Sequence, residues 1–222
     1  MRWQLVLAGL CLVAGCSRAP GVSDRSGNAP APDGHLFTRM PSTFTGVKFT
    51  NQIKETRELN VFTYRNYYNG GGVAIGDLNG DGLPEVILTS NQGGARLYLN
   101  EGQFRFRDIT EEAGLKDNAV WSTGVAIADV NGDGRLDIYV CHAGQAEPAR
   151  RANALWINQG VRKDSIPLFK NEAMSYGVDD QGFSTQAAFL DYDGDGDLDL
   201  FVINNSPRPV SSFGQRNTRN ER

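Results

Sequence analysis

Asp77, Asn79, Asp81 and Glu85 stand at alternate positions of one short stretch, and the pattern returns at Asp129, Asn131, Asp133 and Asp137 and again at Asp191, Asp193, Asp195 and Asp199. Side-chain oxygens at this density suit a hard cation. Ca²⁺ takes about 6–8 oxygens at ~2.3–2.6 Å, and a tight turn aims positions one, three and five of such a loop at one centre. Position six must bend sharply; Gly82, Gly134 and Gly196 occupy it, as expected where the backbone takes a positive φ. Position seven offers a backbone carbonyl, so Leu83, Arg135 and Asp197 can share it whatever their side chains. Mg²⁺ suits these loops less, because it prefers a small octahedral cage and keeps its waters.

Two other readings of the loops are open to the same residues. An EF-hand needs an acid at position twelve leading into a helix, and here position twelve is Leu88, Val140 and Val202, inside strand-forming runs. Asp-Gly and Asn-Gly are also good hairpin turns without any ion. That explanation covers one loop but strains at three, since the carboxylates crowded on each loop repel one another unless a cation lies between them. Catalytic chemistry finds little support. The two histidines, His35 and His142, have no motif around them. Cys141 and His142 are neighbours in a strand-like run and so point to opposite faces. Cys141 reads as a small buried apolar residue.

The elements that must hold these loops repeat as well. GVAIGDLNGDGLPEVIL from Gly72, GVAIADVNGDGRLDIYV from Gly124 and QAAFLDYDGDGDLDLFV from Gln186 are each an apolar run, an acidic loop and a second β-branched or aromatic run. This is the pattern of a β-hairpin closed by the loop. The spacing is 52 residues from Asp77 to Asp129 and 62 from Asp129 to Asp191, a period of propeller blades rather than helical repeats. Outer strand pairs follow the first two loops, as ARLYLN with FRFRDIT and NALWIN with PLFKNEA. The fold expected is all-β: a partial β-propeller of four-stranded antiparallel blades over residues 43–222, two complete and the last incomplete. VKFTN and LNVFTYRNYY, before the first hairpin, also read as strands. A ring needs about four to eight blades, so this chain alone does not close one.

DLNGDGLPE, DVNGDGRLD and DYDGDGDLD resemble the calcium loops of FG-GAP/VCBS repeats, the blades of integrin-α-like propellers. LNVFTYRNYYNGGGVAIGD with DITEEAGL is similar to bacterial lipoproteins that carry such repeats, often with a C-terminal ASPIC/UnbV domain that this sequence lacks. The resemblance covers Val47 onward. It departs from integrin-like repeats after the second strand, where TSN, CHA and INN replace Gly-Ala-Pro, and at Glu85, where the repeats usually have Asp.

The N-terminal residues set the compartment. Arg2 precedes an unbroken apolar run from Leu5 to Gly15, far short of the ~20 residues a spanning helix needs, and Leu12-Val13-Ala14-Gly15-Cys16 resembles a lipobox. Residues 1–16 are therefore expected to be a lipoprotein signal peptide with Cys16 acylated, placing the protein in the bacterial cell envelope at the outer membrane. Cys141 is then the single remaining thiol, and no internal disulfide can form. Residues 17–42, rich in Pro, Gly, Ser and Ala, read as a flexible tether. The formal net charge of −4 opposes phosphate-backbone binding, so nucleic acid is not an expected partner. The function expected is a non-catalytic, Ca²⁺-binding module that meets a protein or glycan ligand. The alternative is a non-catalytic propeller part of a larger carbohydrate-active enzyme.

Overall fold

The computed structural model describes residues 37–117, 121–144 and 147–205. The expected signal peptide, Cys16, His35 and most of the tether lie outside them. Residues 37–39, all that is described of the segment 1–39, are exposed coil. The compact unit begins at Met40, and no helix among the described residues is long and apolar enough to cross a membrane.

Two four-stranded antiparallel meanders and one hairpin follow in chain order. The first sheet is β1 (Val73–Gly76), β2 (Glu85–Ser90), β3 (Gly94–Asn100) and β4 (Phe106–Asp108). The second is β5 (Ser122–Ala128), β6 (Asp137–His142), β7 (Ala154–Val161) and β8 (Pro167–Asn171). The third is the pair β9 (Ser184–Leu190) and β10 (Asp199–Asn204). Each acidic loop joins the first two strands of its sheet, with Gly76↔Glu85, Ala128↔Asp137 and Leu190↔Asp199 as the last register pairs before it.

The sheets stack face to face, and β6 shows why its sequence is apolar without a break. Alternate residues of a strand point to opposite faces. Ile138 and Val140 enter a core shared with Ile87, Leu97 and Leu99 of the first sheet. Tyr139 and Cys141 enter a second core with Ala187, Phe189, Leu200 and Val202 of the third. Fully burying a side chain such as Ile87 or Ile138 contributes about 1.5–3 kcal/mol against leaving it exposed. The sheets approach most closely at their first strands, where glycine is required: a Cβ on Gly124 would lie 2.5 Å from Thr185 O, and one on Gly72 would lie 2.9 Å from Val125 N. Hydroxyls fasten the same region. Thr89 donates to Thr123 O across the first gap, and Thr123 Oγ1 lies 2.7 Å from Ser184 O across the second.

The strands expected at VKFTN and LNVFTYRNYY do not form. Residues 47–55 are coil, and residues 57–69 fold as successive bends and turns. Side chains compete here with a strand ladder for the backbone: Asn60 Oδ1 accepts from Phe62 N at 2.9 Å, Asn60 Nδ2 donates to Thr56 O at 2.9 Å, and Thr63 Oγ1 accepts from Asn60 N at 3.0 Å. The turns deliver Tyr64 and Tyr67 to Trp121, with ring centroids 5.5 and 5.2 Å away. This aromatic cluster is a third small core.

Candidate metal centre

The three acidic loops adopt one shared conformation. Position one accepts from the turn with both oxygens: Asp77 Oδ1 from Gly80 N at 2.7 Å and Oδ2 from Gly82 N at 2.9 Å, Asp129 Oδ2 from Gly134 N at 2.7 Å, and Asp191 Oδ1 from Gly194 N at 2.8 Å. Position three accepts from position five, as in Asn79 Oδ1 with Asp81 N at 3.1 Å, Asn131 Oδ1 with Asp133 N at 3.2 Å and Asp193 Oδ1 with Asp195 N at 3.3 Å. Position five accepts from the N–H of position seven: Asp81 from Leu83 at 2.8 Å, Asp133 from Arg135 at 2.9 Å, Asp195 from Asp197 at 2.9 Å. These bonds tie the side chains of positions one, three and five to the same turn in each loop. In the third loop, carboxylate oxygens of Asp191, Asp193 and Asp195 lie within 4.8 Å of one another.

The glycines at position six have φ of 84, 83 and 96°. Position four shares that requirement, with Gly80, Gly132 and Gly194 at φ 77, 69 and 76°. Glycine at position four in all three copies is a signal that reading the acids alone passes over.

Position nine plays a structural part that the acidic pattern does not reveal. Glu85 Oε2, Asp137 Oδ2 and Asp199 Oδ2 accept from the N–H of position two, Leu78, Val130 and Tyr192, at 2.9, 3.0 and 2.9 Å. Glu85, despite its longer side chain, reaches the same group as the two aspartates. The second oxygen binds the third strand: Glu85 Oε1 accepts from Asn100 N at 3.3 Å and Asp137 Oδ1 from Asn158 N at 2.8 Å. Glu85 and Asp137 are buried, whereas Asp199 is exposed. Burial pushes both buried carboxyls above the usual carboxylate range; the backbone donors oppose it, and the negative charges at positions five and one add to it. A cation held by the loop would have the reverse effect, since an opposite charge nearby favours the ionised form.

Two further residues complete the loops. Asn100 and Asn158 end the runs LYLN and LWIN. Asn100 Nδ2 donates to Pro84 O at 2.9 Å, and Asn158 Nδ2 lies 2.9 Å from Leu78 O in the preceding sheet and 3.2 Å from Leu136 O in its own. Their repetition at the end of the third strand was the available signal. Position seven is also not indifferent to its side chain in the second loop, because the Arg135 guanidinium binds Asp133 Oδ2 and donates from Nε to Asn158 O at 3.1 Å.

Cys141 and His142 form no common site. The thiol is enclosed in the core between the second and third sheets, and burial pushes its pKa up to about 12. The His142 ring is held apart from it, with Nδ1 2.6 Å from Ala152 O and Nε2 3.2 Å from Asp117 Oδ1.

Stacked antiparallel four-stranded sheets, each with an acidic loop between its first two strands, define a blade-repeat protein. Residues 57–140 match the FG-GAP-like repeat family, and this stretch of the chain is an FG-GAP-like repeat. It is 30% identical over 153 residues to cartilage acidic protein 1 of Homo sapiens, a match covering 66% of this chain and 22% of that protein. It is 25% identical over 175 residues to a T-cell immunomodulatory protein homolog of Plasmodium yoelii yoelii, covering 70% of this chain and 23% of that one. With integrin alpha-4 of Xenopus laevis the identity is 24% over 198 residues, covering 76% and 19%. The chain thus spans about a fifth to a quarter of the length of these curated relatives.

Proposed function

We propose that the chain is a non-catalytic binding module of a bacterial envelope lipoprotein, its blades sectors of a propeller and its acidic loops braced by Ca²⁺. The observation that carries this is the repetition of one loop conformation three times, with positions one, three and five accepting from the same turn each time. Asp191, Asp193 and Asp195 supply three carboxylates to one small volume; Asp77, Asn79 and Asp81, and Asp129, Asn131 and Asp133, supply two carboxylates and an amide. Such sets are all hard oxygen donors, the chemistry Ca²⁺ takes. When bound, the ion neutralises the loop and fixes the hairpin between the first two strands. The carbonyls of Leu83, Arg135 and Asp197 and the acids Glu85, Asp137 and Asp199 are the further donors on this reading, with Glu85 and Asp137 also accepting from backbone N–H groups through both oxygens. Lipidation at Cys16, on the lipobox reading, anchors the module at the outer membrane, and residues 17–42 hold it away from the surface. The likeness to an integrin alpha chain and the net charge of −4 support a protein or glycan ligand over a nucleic acid.

Calorimetric titration of the full chain with Ca²⁺ and with Mg²⁺, alongside its melting temperature, tests this reading. Uptake at about three sites, with dissociation constants of ~10⁻⁴–10⁻³ M and a rise in melting temperature, is the expected result. A folded sample that takes up no Ca²⁺ would reduce the loops to hairpin turns.

A further inference from the structure

We propose that Asn131 is a deamidation site of the folded protein and that Asn79, its counterpart in the first loop, is protected from the same reaction. Both stand in the local sequence Asn-Gly-Asp-Gly, so a difference between them is a property of the structure. The modification is independent of the calcium reading; only its effect on ion binding rests on that reading.

An asparagine followed by glycine can close on the chain, because a residue without a side chain leaves its nitrogen open. The Gly132 nitrogen gives up its proton to solvent base and attacks Cγ of Asn131. The N–Cγ bond forms as the Cγ–Nδ2 bond breaks, and the side-chain nitrogen takes up a proton and leaves as ammonia. Water then opens the cyclic imide. Cleavage of the new N–Cγ bond gives aspartate; cleavage of the bond between Gly132 N and the backbone carbonyl carbon of Asn131 gives isoaspartate, with the chain running through the side chain. The sum is amide plus water to acid plus ammonia, with no change of oxidation state.

The two loops share the geometry that brings the groups together. Asn79 Oδ1 accepts from Asp81 N at 3.1 Å and Asn131 Oδ1 from Asp133 N at 3.2 Å, an Asx turn that folds the side chain back over the following backbone. Nothing lies within 4 Å of a Cβ built on Gly80 or Gly132, so packing does not separate the two nitrogens.

Three other features do, and all favour Asn131. The attacking nitrogen is restrained in the first loop, where Gly80 N donates to Asp77 Oδ1 at 2.7 Å, as Gly194 N does to Asp191 Oδ1 at 2.8 Å in the third. Gly132 N makes no hydrogen bond among the described residues, and Asp129 Oδ1 accepts from Asp133 N at 3.1 Å. A proton held against a carboxylate is harder to remove than one facing water. The leaving nitrogen is held from two sides in the first loop: Asn79 Nδ2 donates to Asp81 Oδ2 at 3.0 Å and, in the turn between β7 and β8, to Ser165 O at 3.1 Å. Asn131 Nδ2 donates to Asp133 Oδ2 alone, at 2.9 Å. Finally, Asn131 is exposed to the water that completes the reaction, whereas Asn79 is half-buried.

The two products act differently on the loop. Aspartate gives the second loop carboxylates at positions one, three and five, the set that Asp191, Asp193 and Asp195 form in the third. Isoaspartate lengthens the backbone and breaks the spacing through which position three accepts from position five. On the calcium reading, deamidation therefore yields one form with a more acidic second site and another in which that site is lost.

Peptide mapping of the full chain, incubated in non-ionic detergent with EDTA at mildly alkaline pH, is the test, with fragment spectra locating each mass gain. Asn131 is expected to convert about tenfold or more faster than Asn79, the factor for one hydrogen bond to a charged group. In urea the two are expected to convert at the same rate. Amide hydrogen exchange reads the cause directly: Gly132 N–H should exchange faster than Gly80 N–H. Asn131→Gln should abolish the mass gain at that position with an unchanged far-UV spectrum. Equal rates at Asn79 and Asn131 in a sample with a folded far-UV spectrum overturn the proposal. So does an Asn131 that converts in urea but not in the folded chain, or a Gly80 N–H that exchanges as fast as that of Gly132. Should the chain unfold in EDTA, the same ranking is expected without chelator, and its reversal there overturns the proposal equally.

Discussion

The side-chain amide of Asn158, on the third strand of the second sheet, donates to the backbone carbonyl of Leu78 at 2.9 Å, inside the acidic loop of the first sheet. Asn158 is wholly buried, and its remaining groups are engaged: Oδ1 accepts from Gly160 N at 2.9 Å and its backbone N–H meets Asp137 at 2.8 Å. One residue thus joins two acidic loops and two blades. Asn158→Ala strands a buried carbonyl and is expected to cost about 1–3 kcal/mol. Asn100→Ala removes the bonds to Pro84 O and from Gly102 N, both within the first sheet, and should cost less. Denaturant melts of the two variants, with and without Ca²⁺, read the difference.

Loop occupancy is separable by position one. Asp77→Ala, Asp129→Ala and Asp191→Ala each remove the carboxylate that accepts from the turn. Each variant is expected to lower the calorimetric stoichiometry by one ion while the other loops still titrate. A variant that keeps full stoichiometry would sink the assignment of its loop.

The glycines at position six isolate backbone conformation from packing. Nothing lies within 4 Å of a Cβ built on Gly82, Gly134 or Gly196, yet all three have positive φ. Alanine there should cost about 1–2 kcal/mol from conformation alone. Gly144→Ala is expected to cost more, because at φ 88° its Cβ would also meet Trp121 Cβ at 2.7 Å. Thermal melts of Gly134→Ala and Gly144→Ala rank the two.

Alkaline pH should weaken the fold through two groups. Burial raises Cys141 from 9.0 to about 12 and Tyr64 from 10.0 to about 12. For a group whose folded pKa is raised, the stabilising contribution is complete below the unfolded value and lost as pH rises through the folded one. Stability is therefore expected to fall from about pH 9 to about pH 12. At pH 8 the Cys141 thiol should resist iodoacetamide and react once the chain is unfolded, which mass spectrometry of the peptide carrying Cys141 checks. Rapid native alkylation of Cys141 at pH 8 would contradict its burial.

The outlines of the blades were legible because hairpin signals are local. Alternating or continuous apolar runs on either side of an Asp-Gly-rich turn define two paired strands within some twenty residues, and all three such hairpins are present. The segment before Gly70 was not legible in the same way. LNVFTYRNYY has the composition of a strand, but Asn60 and Thr63 hold its backbone in turns, and Tyr64 and Tyr67 find their burial against Trp121, more than fifty residues further along the chain.

By itself the sequence determined the repeat, its strands and loops, and the oxygen chemistry of each loop, because those depend on residue type at fixed short spacing. Tertiary structure alone decided which side chains serve the loops from outside. Asn158 reaches Leu78 across 80 residues, Arg135 reaches the carbonyl of Asn158, and Glu85 and Asp137 become buried through the third strands that close over them. It also decided which apolar faces are covered and which are open: Tyr139 and Phe201 hold equivalent positions, but a following sheet exists for the first, and among the described residues none lies on the second. The physical reason is that hydrogen bonding within a turn is set by neighbours in the chain, whereas burial is set by whatever the fold brings alongside.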